Sequence, residues 1–569
     1  MLWEIVFFCL SVLIYILFLV EKSYQPARNN LKFLAKLSIS SSTSSTSSLS
    51  PLDQKSTTTT KDNNEENFLK QILISWSSVN TSFMFAGSIL ETYLFGARII
   101  FNTLSVCLGY LLALVLFQSF FYKLDKSINS PYEYIEQRYP GKYGKILRNL
   151  CTMVSCIFSF SFLTLHLWGS AITLSILLPI HLSLSTFLVG LISLLMTFLT
   201  HNKKQFFFVH IIQFLIILLA LLMAILIDLF ENEHGKPAEL IDIAREYGRL
   251  KIIETTFDLT TKYTIWNQVF SSPISWCAFH CLVPSNFKKI RSTSTNLKSK
   301  ILLMSNIPLI IIINCLLVFA GIMSFVHFYG CDPILIKKFD DKNQIGPYWL
   351  MQSLSKKIPS LTGLAFASYI LISLNQHSMG LSALKTTILS DLCRDFKQNK
   401  RISSEKVNFI LNFLLSILSL SGAMLLTYAR NSLLSLFYLF SNTFNPPLFG
   451  LMLLSIYNPM ANCFGALISF CLSLFASVWL LVGRIYFLHD HSPEFEPNTF
   501  LCENSTLPID NYSFSNVTTL TSTVHPAFSL YNISSLWYPL FSVLFIFLFG
   551  SLLSLIYSLI KSKIKAYIK

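Results

Sequence analysis

Charge is scarce in this chain: of 569 residues only 13% are charged, 29 acidic against 43 basic, while 53% are hydrophobic. Soluble domains carry about a quarter charged residues. Too little polar side chain is left to cover a water-facing surface, which excludes an ordinary soluble domain. The 12 Cys include no CxxC pair, the usual mark of a thiol metal or redox site. GxSxG, Walker A, HExxH and the dinucleotide-binding glycine pattern are all missing, and the histidines do not sit at ligand spacing with carboxylates. The chain is therefore read as a non-enzyme without an organic cofactor. Its net charge of +14 is scattered in short tracts instead of one basic block with interleaved aromatics, so nucleic acid is not an expected partner.

Long apolar runs are what remain, recurring from end to end. They lack the alternation of barrel strands and are long enough for helices of roughly 20 residues. The chain reads as an all-α polytopic membrane protein with about thirteen transmembrane helices, beginning near residues 1, 73, 101, 149, 181, 206, 264, 301, 359, 405, 432, 460 and 536. Residues 1–20 form the first span; Glu4 and the lack of Lys or Arg before it argue against a cleaved signal peptide. Residues 21–72 read as a Ser/Thr-rich cytoplasmic linker, and 73–484 as a ten-helix core plus the twelfth helix. Residues 485–535 read as an extracellular loop, 536–560 as the last span, and 561–569 as a basic cytoplasmic tail.

Alternate loops collect Lys and Arg, among them Lys22, Lys123, Arg148, Lys203, Lys289, Arg394 and Lys561. By the positive-inside rule they are cytoplasmic, which puts the amino terminus outside and the carboxyl terminus in the cytoplasm. The sequons at Asn504, Asn511, Asn516 and Asn532 then fall in the exterior loop, where glycosylation occurs. Cys331 and Cys502 also fall outside, where oxidation permits a disulfide between them; two free thiols is the alternative.

Polar residues inside spans are costly in lipid and mark bundle interiors or solute pathways. The second span carries Ser77, Ser78, Asn80, Thr81 and Ser82 ahead of Gly87. It is either a helix broken around a binding site or a helix start with ordinary Ser/Thr packing. In the seventh span Pro273 and Pro284 bracket Trp276 and His280, freeing backbone carbonyls beside a titratable ring. The ninth span gathers Ser373, Asn375, Gln376, His377 and Ser378 within two turns. These side chains serve either as oxygen ligands for a hard cation such as Na+ or as hydrogen-bond glue between helices.

Several segments resemble the solute:sodium symporter family, in the branch of monocarboxylate, multivitamin and iodide symporters. GSILETYLFG (87–96) is similar to that branch's G-x-P-x-E-x-Y-x-F-G, and FYKLDKSINSPYEYIEQRY (121–139) to its F-Y-R-L-x-x-x-S-x-Y-E-Y-L-E-x-R-F. GCDP (330–333), PPLFGL (446–451) and NPMANCFGAL (458–467) follow in order. The resemblance implies a LeuT-like fold of two inverted repeats of five helices, spans two to six and seven to eleven. It also implies Na+-coupled symport of a small organic anion, a monocarboxylate or a vitamin such as biotin or pantothenate, across the plasma membrane. By the same resemblance Na+ is held by carbonyls of Ser77, Asn80 and Ile372 and by the side chains of Asn375 and Gln376. The family has two Ser/Thr hydroxyls at the last two positions, and the longer amides here change the cavity. Substrate-facing positions map to Met84, Trp276 and His280. A non-transporting solute sensor or a Na+-independent carrier on the same fold is the alternative.

Overall fold

The computed structural model describes residues 3–15, 68–76, 82–125, 127–199, 207–232, 234–393, 404–429, 431–487, 502 and 530–568. Every regular element among them is a helix. Ahead of the core come α1 (Trp3–Tyr15) and α2 (68–76). A first run follows: α3 (Ser82–Phe95), α4 (Ile100–Leu112), α5 (Ser119–Lys123), α6 (Pro131–Arg138), α7 (Lys142–Leu177), α8 (Leu182–Leu199) and α9 (Phe207–Glu231). After α10 (Pro237–Glu246), a second run comprises α11 (Ser272–Leu282), α12 (Pro284–Arg291), α13 (Asn296–Met304), α14 (Asn306–His327), α15 (Ile345–Ser355), α16 (Pro359–Thr387), α17 (Ser404–Leu426) and α18 (Leu433–Tyr457). The last two helices are α19 (Cys463–Phe487) and α20 (Tyr538–Ile568).

Seven described stretches are long and apolar enough to cross a membrane: Met84–Lys123, Lys142–Leu177, Val209–Glu231, Asn296–His327, Val407–Leu426, Cys463–Tyr486 and Ser535–Lys563. That criterion supports seven spans where the sequence leads one to expect thirteen. Part of the difference has a physical source. Met84–Lys123 joins α3 to α5 through a turn at Gly96, and α1 and α8 are apolar but shorter. Helices α16 and α18, 29 and 25 residues long, have the length to cross about 30 Å of hydrocarbon but spend many positions on buried polar side chains.

The packing has an internal symmetry. Helix α3 packs on α14 as α4 packs on α11; α9 packs on α16 as α18 packs on α7; α8 packs on α16 as α17 packs on α7. Helices α7 with α16 and α8 with α17 pair across the centre. Exchanging α3, α4, α7, α8 and α9 with α11, α14, α16, α17 and α18 maps this set of contacts onto itself, the pattern that two five-helix repeats produce.

Local chemistry fixes the helix ends. Gly96 takes φ +70°, and a Cβ there would stand 2.7 Å from the Arg249 carbonyl oxygen, so only glycine allows this turn. The buried Arg249 donates from Nη1 to the carbonyls of Tyr93 (2.6 Å) and Leu94 (3.1 Å), satisfying the end of α3. At the opposite, basic end of the bundle, Ser130 caps α6 by accepting from the Tyr132 N–H, with Pro131 in the first turn. Arg138 of α6 donates to carbonyls of Ser455, Asn458 and Pro459 at the end of α18. Arg291 of α12 does the same for Leu124, Asp125 and Ile128 after α5.

Candidate functional site

Helix α11 begins after a wide turn at Asn267–Ser271 and ends at Val283, where the backbone becomes extended (ψ 126°). Pro284, which has no N–H, then opens α12. The break leaves the Leu282 carbonyl without a helical partner, and the buried Tyr132 hydroxyl of α6 donates to it at 2.9 Å. Close packing beside the break depends on a small residue: a Cβ on Gly109 of α4 would lie 2.5 Å from the Trp276 Cβ.

Around this break lies a cavity of about 410 Å3, within the range of small-molecule sites. Its mid-bundle part is aromatic. Tyr110 stacks on His280 with ring centroids 3.7 Å apart, Trp276 lies 5.6 Å from Phe437, and Phe162 lies 5.5 Å from Phe279. From there the wall runs past Pro284, Ser285, Lys289 and Thr387 towards the basic end. No Asp or Glu lines the cavity among the described residues, and Lys289 is the one Lys or Arg among them.

On the other side of Trp276, Tyr438 packs against both Trp276 and Tyr263. Buried Glu91 of α3 accepts from the Tyr263 hydroxyl (3.0 Å), from Ser435 Oγ (2.8 Å) and from Ser432 Oγ. Ser432 is the cap of α18, so this carboxylate clasps α3 to the start of α18. Lys262 Nζ donates to Ser435 Oγ at 3.0 Å in the same cluster.

Met84, Trp276, His280 and Gln376 of the expected site all line the cavity. Ile372 and Asn375 are buried in α16 away from that wall. Among the described residues Asn375 Nδ2 has no hydrogen-bond partner. Ser77 and Asn80 lie outside the described residues, as do Asn504, Asn511 and Asn516; Asn532 is exposed in a short turn at Leu530–Asn532. Two members of the polar patch on α16 act as glue. Ser373 Oγ donates to the His166 carbonyl of α7 (2.8 Å), and His377 bonds Ser193 of α8 through Nδ1 (2.6 Å) and Ser419 of α17 through Nε2 (2.7 Å). Cys331 and Cys502 are joined by a disulfide with Cα atoms 5.0 Å apart, and the adjacent Asp332 accepts from the Tyr93 hydroxyl at 2.8 Å.

Sequence reasoning missed Tyr110, His166, Phe437 and the cavity role of Lys289. The first three come from helices distant in sequence, and each reads as an ordinary apolar-helix residue. Lys289 reads as one of many loop charges; only the break at Val283 turns it towards the cavity.

A family model described as the sodium:solute symporter family matches residues 74–472. The chain is 22% identical over 415 residues to the human sodium/iodide cotransporter, covering 71% of this chain and 62% of the relative. It is 23% identical over 415 residues to the mouse sodium-coupled monocarboxylate transporter 2, covering 72% and 65%. It is 24% identical over 458 residues to the sodium-dependent multivitamin transporter of Oryctolagus cuniculus, covering 79% and 69%. The matched region thus spans less than two thirds of the first two relatives. Among solved structures, a Na+-coupled sialic acid symporter in a substrate-bound outward-open state has the same fold, with a TM-score of 0.61 at 16% identity, covering 86% of this chain and 90% of that one. With 74–472 matched end to end, the chain belongs to the sodium:solute symporter family.

Proposed function

We propose that this protein is a secondary active transporter of the plasma membrane that couples Na+ entry to the uptake of a small organic monoanion. The carrying observation is the cavity itself: aromatic walls, one lysine and, among the described residues, no carboxylate. A lysine on a low-dielectric wall without carboxylates favours an anionic solute over a cationic one, and the aromatic wall suits an apolar body. The relatives named for iodide, monocarboxylate and multivitamin transport support the same reading.

In this reading Met84, Trp276 and His280 contact the solute. Na+ is held by the carbonyls of Ser77, Asn80 and Ile372 with the amide oxygens of Asn375 and Gln376, a ligand type suited to a hard cation. Each Na+ charge moving down the membrane potential supplies about 2.3 kcal/mol per 100 mV. That is roughly a fiftyfold concentration ratio at 100 mV for each net positive charge carried, the entering monoanion cancelling one Na+. Thirteen spans with the amino terminus outside and the carboxyl terminus in the cytoplasm put the basic end inside. The cavity then faces the cytoplasm, and the Glu91 clasp closes the outer gate. Residues 485–535 are exterior and glycosylated on this topology.

A second reading, a Na+-independent carrier or a non-transporting sensor, draws support from Asn375 and Ile372 standing off the cavity wall. Uptake of labelled lactate, nicotinate, pantothenate, biotin and iodide by expressing cells, with Na+ or with choline in its place, separates the two. Accumulation that requires Na+ supports the symporter. Accumulation indifferent to Na+ supports the carrier, and binding without accumulation supports the sensor.

A further inference from the structure

The cavity has a second wall, away from the aromatic one, that the proposed Na+ and solute contacts leave unused. Helices α9 and α14 pack on each other and supply it. On α14 the lining residues include Ile310, Ile313, Asn314 and Leu317, whose spacing puts them on one face of the helix. That face is apolar except for Asn314, an amide set among aliphatic neighbours. Asn314 is 9% exposed, and among the described residues its Nδ2 has no hydrogen-bond partner. His210 of α9 lines the same cavity and is 5% exposed, and its Nε2 is likewise without a partner among the described residues. Polar side chains inside a helix bundle ordinarily bond across to another helix, as His377 does to Ser193 and Ser419. Asn314 Nδ2 and His210 Nε2 do not serve in that way. A buried polar atom left unmet carries a desolvation cost that a ligand in the cavity can relieve.

The chemistry of the two atoms selects what they would take. The amide nitrogen of Asn314 is a donor only and needs an acceptor, while His210 Nε2 donates or accepts according to its tautomer. A hydroxyl does both, so it satisfies the amide and either form of the imidazole. A methyl in its place would leave both atoms unmet. We propose that Asn314 and His210 form a neutral subsite for a hydroxyl carried by the solute at the end away from its carboxylate, the apolar body lying between this wall and the aromatic wall of Trp276 and Phe437. This rests on the reading that the cavity binds the transported monoanion. It narrows that reading to a substrate class, organic monoanions with a distal hydroxyl, and assigns the selection among monoanions to α9 and α14.

The test is equilibrium binding to the full-length protein in lipid nanodiscs, using a series of ω-hydroxy carboxylates of increasing chain length. Each is paired with the acid that carries a methyl in place of the hydroxyl. In wild type the hydroxy acid should bind about tenfold more tightly than its methyl partner once the chain is long enough to reach the second wall, the scale of two net hydrogen bonds. The shortest pairs should show no preference. In Asn314→Leu, which keeps the volume and removes the amide, the preference should fall to within about threefold, and His210→Phe should reduce it independently. A wild-type preference below about twofold at every length overturns the subsite while leaving the transport reading intact. A full preference that survives both substitutions also overturns it. So does a loss in Asn314→Leu that weakens both members of a pair equally, since Asn314 would then shape the wall without reading the hydroxyl. Wild-type protein that binds no member of either series overturns the monoanion reading, and the subsite falls with it.

Discussion

Replacing Tyr132 by Phe removes one hydroxyl from α6 and leaves the ring in place. In the wild type that hydroxyl donates to the Leu282 carbonyl at 2.9 Å, and Tyr132 is 1% exposed. The carbonyl is an orphan of the α11–α12 break, so the substitution leaves a buried acceptor unmet, at a cost of about 1–3 kcal/mol. The bond ties α6 to the junction between α11 and α12. If the closed form lacks the bond, the whole cost falls on the open form described here. A cost of about 1.4 kcal/mol shifts the equilibrium tenfold, and from equal populations the open form drops from half to about 9%. Cys156 lines the cavity and is partly exposed, which makes it a native reporter. Its alkylation by a membrane-impermeant maleimide in inside-out vesicles, resolved by peptide mass spectrometry, should slow about fivefold in Tyr132→Phe. A rate within about 1.5-fold of wild type, in a protein that melts normally, refutes the reasoning, because the bond would then be equally present in both forms.

Gly109→Val places branched carbon where even a Cβ lies 2.5 Å from Trp276, and should cost about 1–3 kcal/mol by overpacking; a thermal-shift assay on purified protein should show a clearly lower Tm than Gly109→Ser. Asn375→Leu should abolish the Na+ dependence of uptake in protein that still reaches the surface, and an unchanged Na+ response removes Asn375 from the cation site. Glu254, in the stretch between α10 and α11, is held below the usual carboxylate range, chiefly by the Lys251 Nζ hydrogen bond at 2.9 Å and also by Thr256 and the charge of Arg98. A depressed carboxyl stabilises the fold above its unfolded value of about 4.5, and that contribution is lost as pH falls through the folded value. Glu254→Gln should therefore melt below wild type at pH 7, and the gap should close as pH drops below about 4.5; a gap constant from pH 7 to 3.5 contradicts the ion-pair account.

How much of this was legible in the sequence depended on whether the signal was local. Helices announce themselves through apolar runs, and Pro273 and Pro284 flag the broken helix that shapes the cavity. Trp276 and His280 sit within that local signal, and both line the cavity. The polar patch on α16 was visible too, yet its division of labour was not. Residues 100° apart on a helix face different neighbours, which sends Gln376 to the cavity, Asn375 into packing, and His377 to Ser193 and Ser419. The clasp of Glu91 by Tyr263, Ser432 and Ser435 joins residues more than 170 positions apart. No periodicity encodes such a contact. The Tyr-Glu-Tyr segment was recognisable only as a resemblance; its chemistry, a hydroxyl and a guanidinium satisfying the stranded carbonyls of α11 and α18, emerges once those helix ends are placed beside it.

The most direct measurement is Na+-driven accumulation by the purified protein in sealed liposomes, with an inward Na+ gradient, an inside-negative potential and labelled lactate or nicotinate outside. The account predicts accumulation above equilibrium that collapses when choline replaces Na+ and that ignores the matching neutral amide. Uptake of the amide at the same rate as the acid, or accumulation of the acid that persists without Na+, contradicts it.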